Sequence, residues 1–377
     1  MRTTSFLVCL LVYNGKVKFS AMINFQHHRD IADERTVIQE GINALVEAES
    51  MGYDGIHFTE HVFSPYSLTS SPTAIASIIA GRTKTIRIGV SAVIVPLGHP
   101  LRIAGDWAMV DVISEGRVEL GVGRGFVWYD FDSMGVDMTE SKDRFSEAIQ
   151  IIRSVWADER VTFHGKFYNV VGTEVRPKPL QKPFLPVFYA ASSPESAVSA
   201  AKLGLGATTS QRISPEDLNK CLGLWLHTMR EGKYSEEEIT FIQDHTPNTT
   251  RIVWVADTDQ QAEREARANF ERFEKAYAQY CYPGYAYVDR QAPESIPQMK
   301  RRAQQGDRNT DAAWDELVRN YGVIAGSPTT VRIKLQELLD QVPMNYLSLY
   351  MNYGGPHPDD IKRNMRLFAT KVMPHFK

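Results

Sequence analysis

Residues 86–125, IRIGVSAVIVPLGHPLRIAGDWAMVDVISEGRVELGVGRG, decide the fold. Ile86–Val95 is a long β-branched run, which predicts a strand. Arg102–Ile113 carries the spacing of a helix, and Arg117–Val122 reads as the next strand. Both strands are nearly continuous in apolar residues instead of alternating, so each is expected to be covered on both faces, as in a parallel sheet.

The same rhythm extends in both directions. Upstream, Val17–Phe25 predicts a first strand. Val37, Gly41, Ala44, Leu45 and Ala48 predict a helix that Gly52 ends. A strand follows over Asp54–Thr59, then a helix over Pro72–Arg82. Downstream, Phe145, Ala148, Ile149, Ile152, Val155 and Trp156 mark an amphipathic helix. A hairpin is expected near Val161–Val171, a strand at Val187–Ala190, a helix over Pro194–Leu203 and a short strand near Ala207–Ser210. Arg251–Ala256 and the series Ala262, Ala266, Phe270, Phe273 give a further strand and helix. Tyr346–Met351 and a helix with Ile361, Met365, Phe368 and Val372 inward close the chain.

Seven or eight such units without an internal linker predict the α/β class and, within it, a (β/α)8 TIM barrel forming a single domain over 17–377. Residues 1–16 are expected to be an N-terminal extension. The apolar run inside MRTTSFLVCLLVY is too short to cross a bilayer and has no cleavage mark after it. Residues 277–310, rich in Tyr, Gln, Arg and Pro, interrupt the rhythm and are too long for an ordinary connection. They predict an insertion late in the barrel, either a disordered surface excursion or a lid over the barrel mouth.

Composition narrows the function. The 377 residues carry 42 Lys and Arg against 45 Asp and Glu, a net charge of −3. No basic stripe stands out, so neither nucleic acid nor a membrane is an expected partner. The cysteines, Cys9, Cys221 and Cys281, are scattered, odd in number and outside any CxxC, which suits a reducing cytoplasmic setting.

Several tempting motifs fail. Gly121–Gly125 (GVGRG) lacks the third glycine of a dinucleotide loop, and the next clear helix starts well downstream. His57–His61 (HFTEH) matches an inverted zinc-protease pattern, but it reads as a strand running into a loop. Four residues along a strand separate the rings by roughly 13 Å, so no metal is expected. No G-x-S-x-G string occurs. His27-His28 have no carboxylate partner at metal-ligand spacing.

In a barrel of this kind chemistry takes place at the C-terminal ends of the strands. Those positions hold Phe25-Gln26, Glu60-His61-Val62-Phe63, Pro96, Gly123-Arg124-Gly125, Ser192-Ser193, Ser210-Gln211 and Tyr350-Met351-Asn352. No nucleophile–base pair or metal cluster is among them. The set suits a cofactor that performs the hard chemistry itself, and its Arg and hydroxyls suit a phosphate.

The strings GYDGIHFTEHVF, SPTAIASIIAGRTKTIRIGVSAVIVPLGHPLRIAGDWAMVDVISEGRVELGVGRG and KPLQKPFLPVFYAASSPESAVSAAKLGLG resemble the bacterial luciferase-like flavin monooxygenase family. The C-terminal IAGSPTTV and MRLFATKVMPHF resemble that family's closing helices. The resemblance implies a barrel that binds reduced flavin mononucleotide (FMNH2) at its mouth. Oxygen would add at the flavin C4a carbon, and a small or medium apolar organic substrate would be oxygenated. It also implies a separate flavin reductase as the FMNH2 source and pairing into a homodimer.

Residue by residue, the resemblance makes His61 the catalytic histidine and Arg124 the phosphate ligand. Ser192, Ser193 and Ser196 add phosphate contacts, although serines there also suit plain capping of the following helix. Ser91-Ala92 matches a non-prolyl cis peptide beneath the ring, and Ser210 and Gln211 reach the ring and ribityl chain. Phe63, Trp128 and Tyr129 are candidate substrate walls. Val62 stands where the family often has a second histidine, and Ser192 where it often has an acid. Two other functions share the scaffold: a deazaflavin-dependent oxidoreductase, and a non-catalytic flavoprotein subunit.

Overall fold

Hydrophobic strands of four to eight residues, separated by helices with one apolar stripe, can bury themselves only by stacking as a sheet covered by those helices. In a computed structural model, which describes residues 16–232, 234–281 and 310–377, they do so. The strands are β1 (Lys18–Ile23), β2 (Gly55–Phe58), β3 (Arg87–Ile94), β4 (Val118–Gly123), β5 (Val161–His164), β6 (Asn169–Thr173), β7 (Val187–Ala190), β8 (Gly206–Thr208), β9 (Thr249–Val255), β10 (Val323–Gly326) and β11 (Tyr346–Tyr350). The helices are α1 (Glu34–Ser50), α2 (Pro72–Arg82), α3 (Pro100–Ile113), α4 (Trp128–Ser133), α5 (Ser141–Ala157), α6 (Pro194–Lys202), α7 (Pro215–Glu231), α8 (Glu236–His245), α9 (Asp259–Cys281), α10 (Thr310–Arg319), α11 (Pro328–Gln341) and α12 (Pro358–Leu367).

Nine of these strands form one parallel sheet in the order β10-β9-β11-β1-β2-β3-β4-β7-β8, and β5 and β6 form a separate antiparallel hairpin. The sheet curls until Thr209, just past β8, bridges Thr249 at the start of β9. Phe19, Ile56, Phe58, Ile88, Val90, Leu120 and Leu347, all buried, pack within the main core. The sequence reading anticipated most of these elements but not β10, which adds a ninth strand on β9. Residues 1–15 of the expected extension and 282–309 of the expected insertion lie outside the described residues. Among the described residues no helix is long and apolar enough to cross a membrane.

The strands are less purely apolar than they look. Ser20, His57, Glu119 and Tyr346, from four different strands, meet on the concave side of the sheet, fully buried. His57 Nδ1 lies 2.8 Å from Ser20 Oγ, and Tyr346 Oη donates to Glu119 Oε2 at 2.9 Å. Arg87 Nε donates to Glu119 Oε1. Burial alone would raise the Glu119 carboxyl, but the Arg87 charge and the bonds from His57 and Tyr346 outweigh it and hold the group below its ordinary range.

Two glycines make room for this layer. A Cβ at Gly89 would lie 2.2 Å from His57 Cδ2, and one at Gly121 would lie 2.2 Å from the Val90 carbonyl oxygen and 2.7 Å from the Phe188 ring. Because backbone cannot yield as a side-chain end can, Gly121→Ala is expected to cost about 3 kcal/mol of unfolding free energy. Denaturant unfolding checks this, and an unchanged midpoint would contradict it.

Candidate active site

Parallel pairing brings the C-terminal ends of the strands to one end of the sheet, so residues far apart in sequence come together there. On β3 the Ser91–Ala92 peptide is cis. β4 pairs β7 with Val122 opposite Tyr189, so Arg124 and Ser192 leave neighbouring strands nearly level with each other. Ser210 and Gln211 follow β8, and His61 follows β2. Ser91 and Ala92 thus lie within β3, and Arg124, Ser192, Ser193, Ser196, Ser210 and Gln211 follow the C-terminal ends of β4, β7 and β8.

Arg124 is exposed and has no hydrogen bond or ion pair within the protein among the described residues. Ser192 Oγ accepts the Ser210 N–H at 3.0 Å, which leaves its own proton available to donate. Ser193 and Ser196 form a reciprocal capping box at the start of α6. Their hydroxyls also lie 3.0 Å apart, so capping occupies much of their capacity. The exposed Glu195 carboxylate is held below its ordinary range by the backbone N–H of its own residue and by the Ser193 hydroxyl. Arg124 and Ser192 are therefore the side chains at this corner with donors to spare. The unpartnered guanidinium, the free hydroxyl proton and the helix start fit a phosphate-bearing cofactor.

The histidine has a partner that the sequence reading did not identify. His61 Nδ1 lies 3.2 Å from Asp130 Oδ2, with Asp130 fully buried on α4 and His61 7% exposed. A carboxylate only accepts, so this pairing keeps a proton on Nδ1 and leaves Nε2 to exchange one. Asp130 Oδ1 has no hydrogen-bond partner among the described residues. α4 begins three residues after Gly125, in a stretch the sequence reading left without a helix. The signal was short: Trp128–Ser133 is barely more than one turn.

The rings that meet His61 are Tyr66, at 4.6 Å between centroids, and Phe126, at 5.9 Å. Tyr277 joins both, and Phe273, Tyr350 and Tyr353 continue the aromatic wall. Of the substrate walls expected from sequence, Trp128 and Tyr129 open α4 half-buried. Phe63 stands on the rim, 60% exposed, in a left-handed conformation with φ 60°. Among the described residues no group of three or more His, Cys, Asp and Glu could hold a metal.

Glu60 accepts the Ile94 N–H at 2.6 Å, tying the end of β2 to β3. Burial, joined by the nearby Asp130 charge, raises its carboxyl from 4.5 to about 7, against the pull of the Ile94 bond. A raised folded-state value means that folding takes up a proton. The stability linked to Glu60 is complete below the unfolded value near 4.5 and is lost as pH rises through about 7. Wild-type unfolding free energy is therefore expected to fall over that window by up to about 3 kcal/mol more than that of Glu60→Gln, which keeps an acceptor for Ile94. Denaturant unfolding across pH checks this, and parallel profiles for the two proteins would contradict it.

Comparison with known proteins places the chain among known folds and families. A family model described as luciferase-like monooxygenase matches residues 17–343. The oxygenase component of flavin-dependent trigonelline monooxygenase from Acinetobacter baylyi is 26% identical over 66% of this chain and 67% of its own. An F420-dependent glucose-6-phosphate dehydrogenase from Microbacterium testaceum is 34% identical over 47% of this chain and 55% of its own. In fold, the crystal structure of monooxygenase RslO1 from Streptomyces bottropensis superposes with a TM-score of 0.80 at 24% identity, covering 96% of this chain and all of that one. The chain belongs to the luciferase-like monooxygenase family.

Proposed function

We propose that this chain is the oxygenase component of a two-component flavin monooxygenase. It would take reduced FMN from a separate flavin reductase and use O2 to oxygenate a small or medium apolar organic substrate. The carrying observation is the level placement of Arg124 and Ser192 at neighbouring strand ends, beside Ser91–Ala92 and the His61–Asp130 pair. In this reading 17–377 form one (β/α)8 barrel whose strands are β1–β4, β7, β8, β9 and β11, with β10 an addition.

Bound reduced flavin would supply the electrons for oxygen activation. Arg124 and Ser192 hold the phosphate, and Ser193 and Ser196 shape the α6 start beside it. Ser210, Gln211 and the Ser91–Ala92 peptide border the ring. His61 moves a proton at Nε2 while Asp130 holds the other ring nitrogen. Tyr66 and Phe126 shield that proton from water, and Phe63, Trp128 and Tyr129 border the substrate.

The trigonelline oxygenase supports the oxygenase reading. The F420-dependent relative supports a second one, hydride transfer with a deazaflavin on the same barrel. Mixing the protein–reduced FMN complex with O2 separates them. The oxygenase reading expects an absorbance transient distinct from free-flavin oxidation. Tight deazaflavin binding with no such transient would overturn it. Arg124→Met is expected to raise the FMN Kd at least about tenfold. His61→Gln is expected to lower oxygenation turnover about a hundredfold with little change in that Kd.

The same reading includes a homodimer. Ile78 on α2 and Met109 and Ile113 on α3 are each 47% exposed. Light scattering is expected to give twice the chain mass for wild type and the chain mass for Met109→Glu/Ile113→Glu, because a buried unpaired carboxylate is costly. A monomeric wild type would contradict the pairing.

A further inference from the structure

We propose that Arg251 is a positioning residue that holds the cofactor segment Ser210–Ile213 by its backbone carbonyls. The proposal rests on the reading above, in which Ser210 and Gln211 border the cofactor.

Arg251 lies on β9 and is fully buried. One terminal nitrogen of its guanidinium, Nη1, donates to Thr249 Oγ1 at 2.6 Å, the Thr250 carbonyl at 2.9 Å and the Ser210 carbonyl at 3.1 Å. The other, Nη2, donates to the Ile213 carbonyl at 3.4 Å. It forms no ion pair among the described residues, and burial alone lowers its pKa to about 9, so it remains a cation at neutral pH. Burying an unpaired cation is costly, and a site that needed only packing would be better served by an apolar side chain. The fork is suited to grip two carbonyls at once, which a single ammonium cannot match.

The segment it grips is fixed from other sides as well. The Ser210 N–H donates to Ser192 Oγ, and the Arg212 guanidinium pairs with Glu274 on α9. A Cβ at Gly322 would lie 2.2 Å from the Gln211 carbonyl oxygen, so the chain entering β10 closes directly on the segment. The Gln211 side chain, half-buried, has no partner among the described residues and is free to meet a ligand. Backbone held this tightly next to an uncommitted carboxamide is the arrangement expected of a support for a binding group.

The test uses the full chain and its Arg251→Met and Arg251→Lys variants. FMN Kd is read by fluorescence, and hydrogen exchange of the apo protein is read at Arg212 and Ile213. Arg251→Met is expected to raise the FMN Kd about tenfold or more and to speed exchange at those amides, with β1–β4 protected as in wild type. Arg251→Lys, which keeps the charge and loses the fork, is expected to fall between. If Arg251→Met does not fold, Arg251→Lys decides by the same two readouts. Wild-type Kd together with wild-type local exchange in a folded variant overturns the proposal. A wild-type chain that binds no FMN overturns the functional reading instead, and the exchange comparison then still decides whether Arg251 holds the segment.

Discussion

Where β3 meets β4 there is almost no space. Gly121 passes so near the Val90 carbonyl and the Phe188 ring that no side chain fits, and Gly89 leaves room for only the His57 ring. This close contact sets the parallel register from which the mouth follows. From it β3 delivers the cis Ser91–Ala92 peptide, and β4 delivers Arg124 nearly level with Ser192. Widening the seam by a methyl group would move the Ser91–Ala92 peptide and Arg124 relative to each other.

Beneath the mouth the concave face carries charge and hydroxyls. Glu119 accepts from Arg87 and Tyr346 and lies 3.5 Å from His57, which bonds Ser20, so polar groups on β1, β2, β3, β4 and β11 are tied together. Removing one partner from such a layer would leave another buried group unsatisfied, which costs more than the bond itself contributes. The layer therefore acts as a floor that locks the relative height of the strands. The sites above it, His61 with Asp130 and the Ser210–Ile213 segment with Arg251, are held by the same device of a buried polar group with an assigned partner.

Local pattern was legible where one element decides the outcome. Pro72–Arg82 and Val187–Ala190 fall on the boundaries their composition suggests. The helix Pro215–Glu231 carries its own signal too, Leu218, Cys221, Leu222, Trp225, Leu226 and Met229 behind a Ser214 cap, although it is not among the elements expected above. What could not be read were partnerships set by the sheet. Asp130 stands 69 residues from His61, and the carbonyl of Ser210 41 residues from Arg251. No periodicity links such pairs, because only strand order brings them together. The strand Val323–Gly326, VIAG, holds only two β-branched residues and runs straight into the Ser327 cap of the next helix, so its pattern merges with that helix.

The central claim is that Arg124, Ser192 and the cis Ser91–Ala92 peptide form one cradle for a flavin phosphate and ring, with His61 facing the reacting side. A crystal structure of the chain with FMN tests it most directly. The account predicts the phosphate within hydrogen-bond distance of Arg124 and Ser192, the ring against Ser91–Ala92, and His61 still paired with Asp130. A phosphate held elsewhere, with Arg124 in solvent, would contradict it.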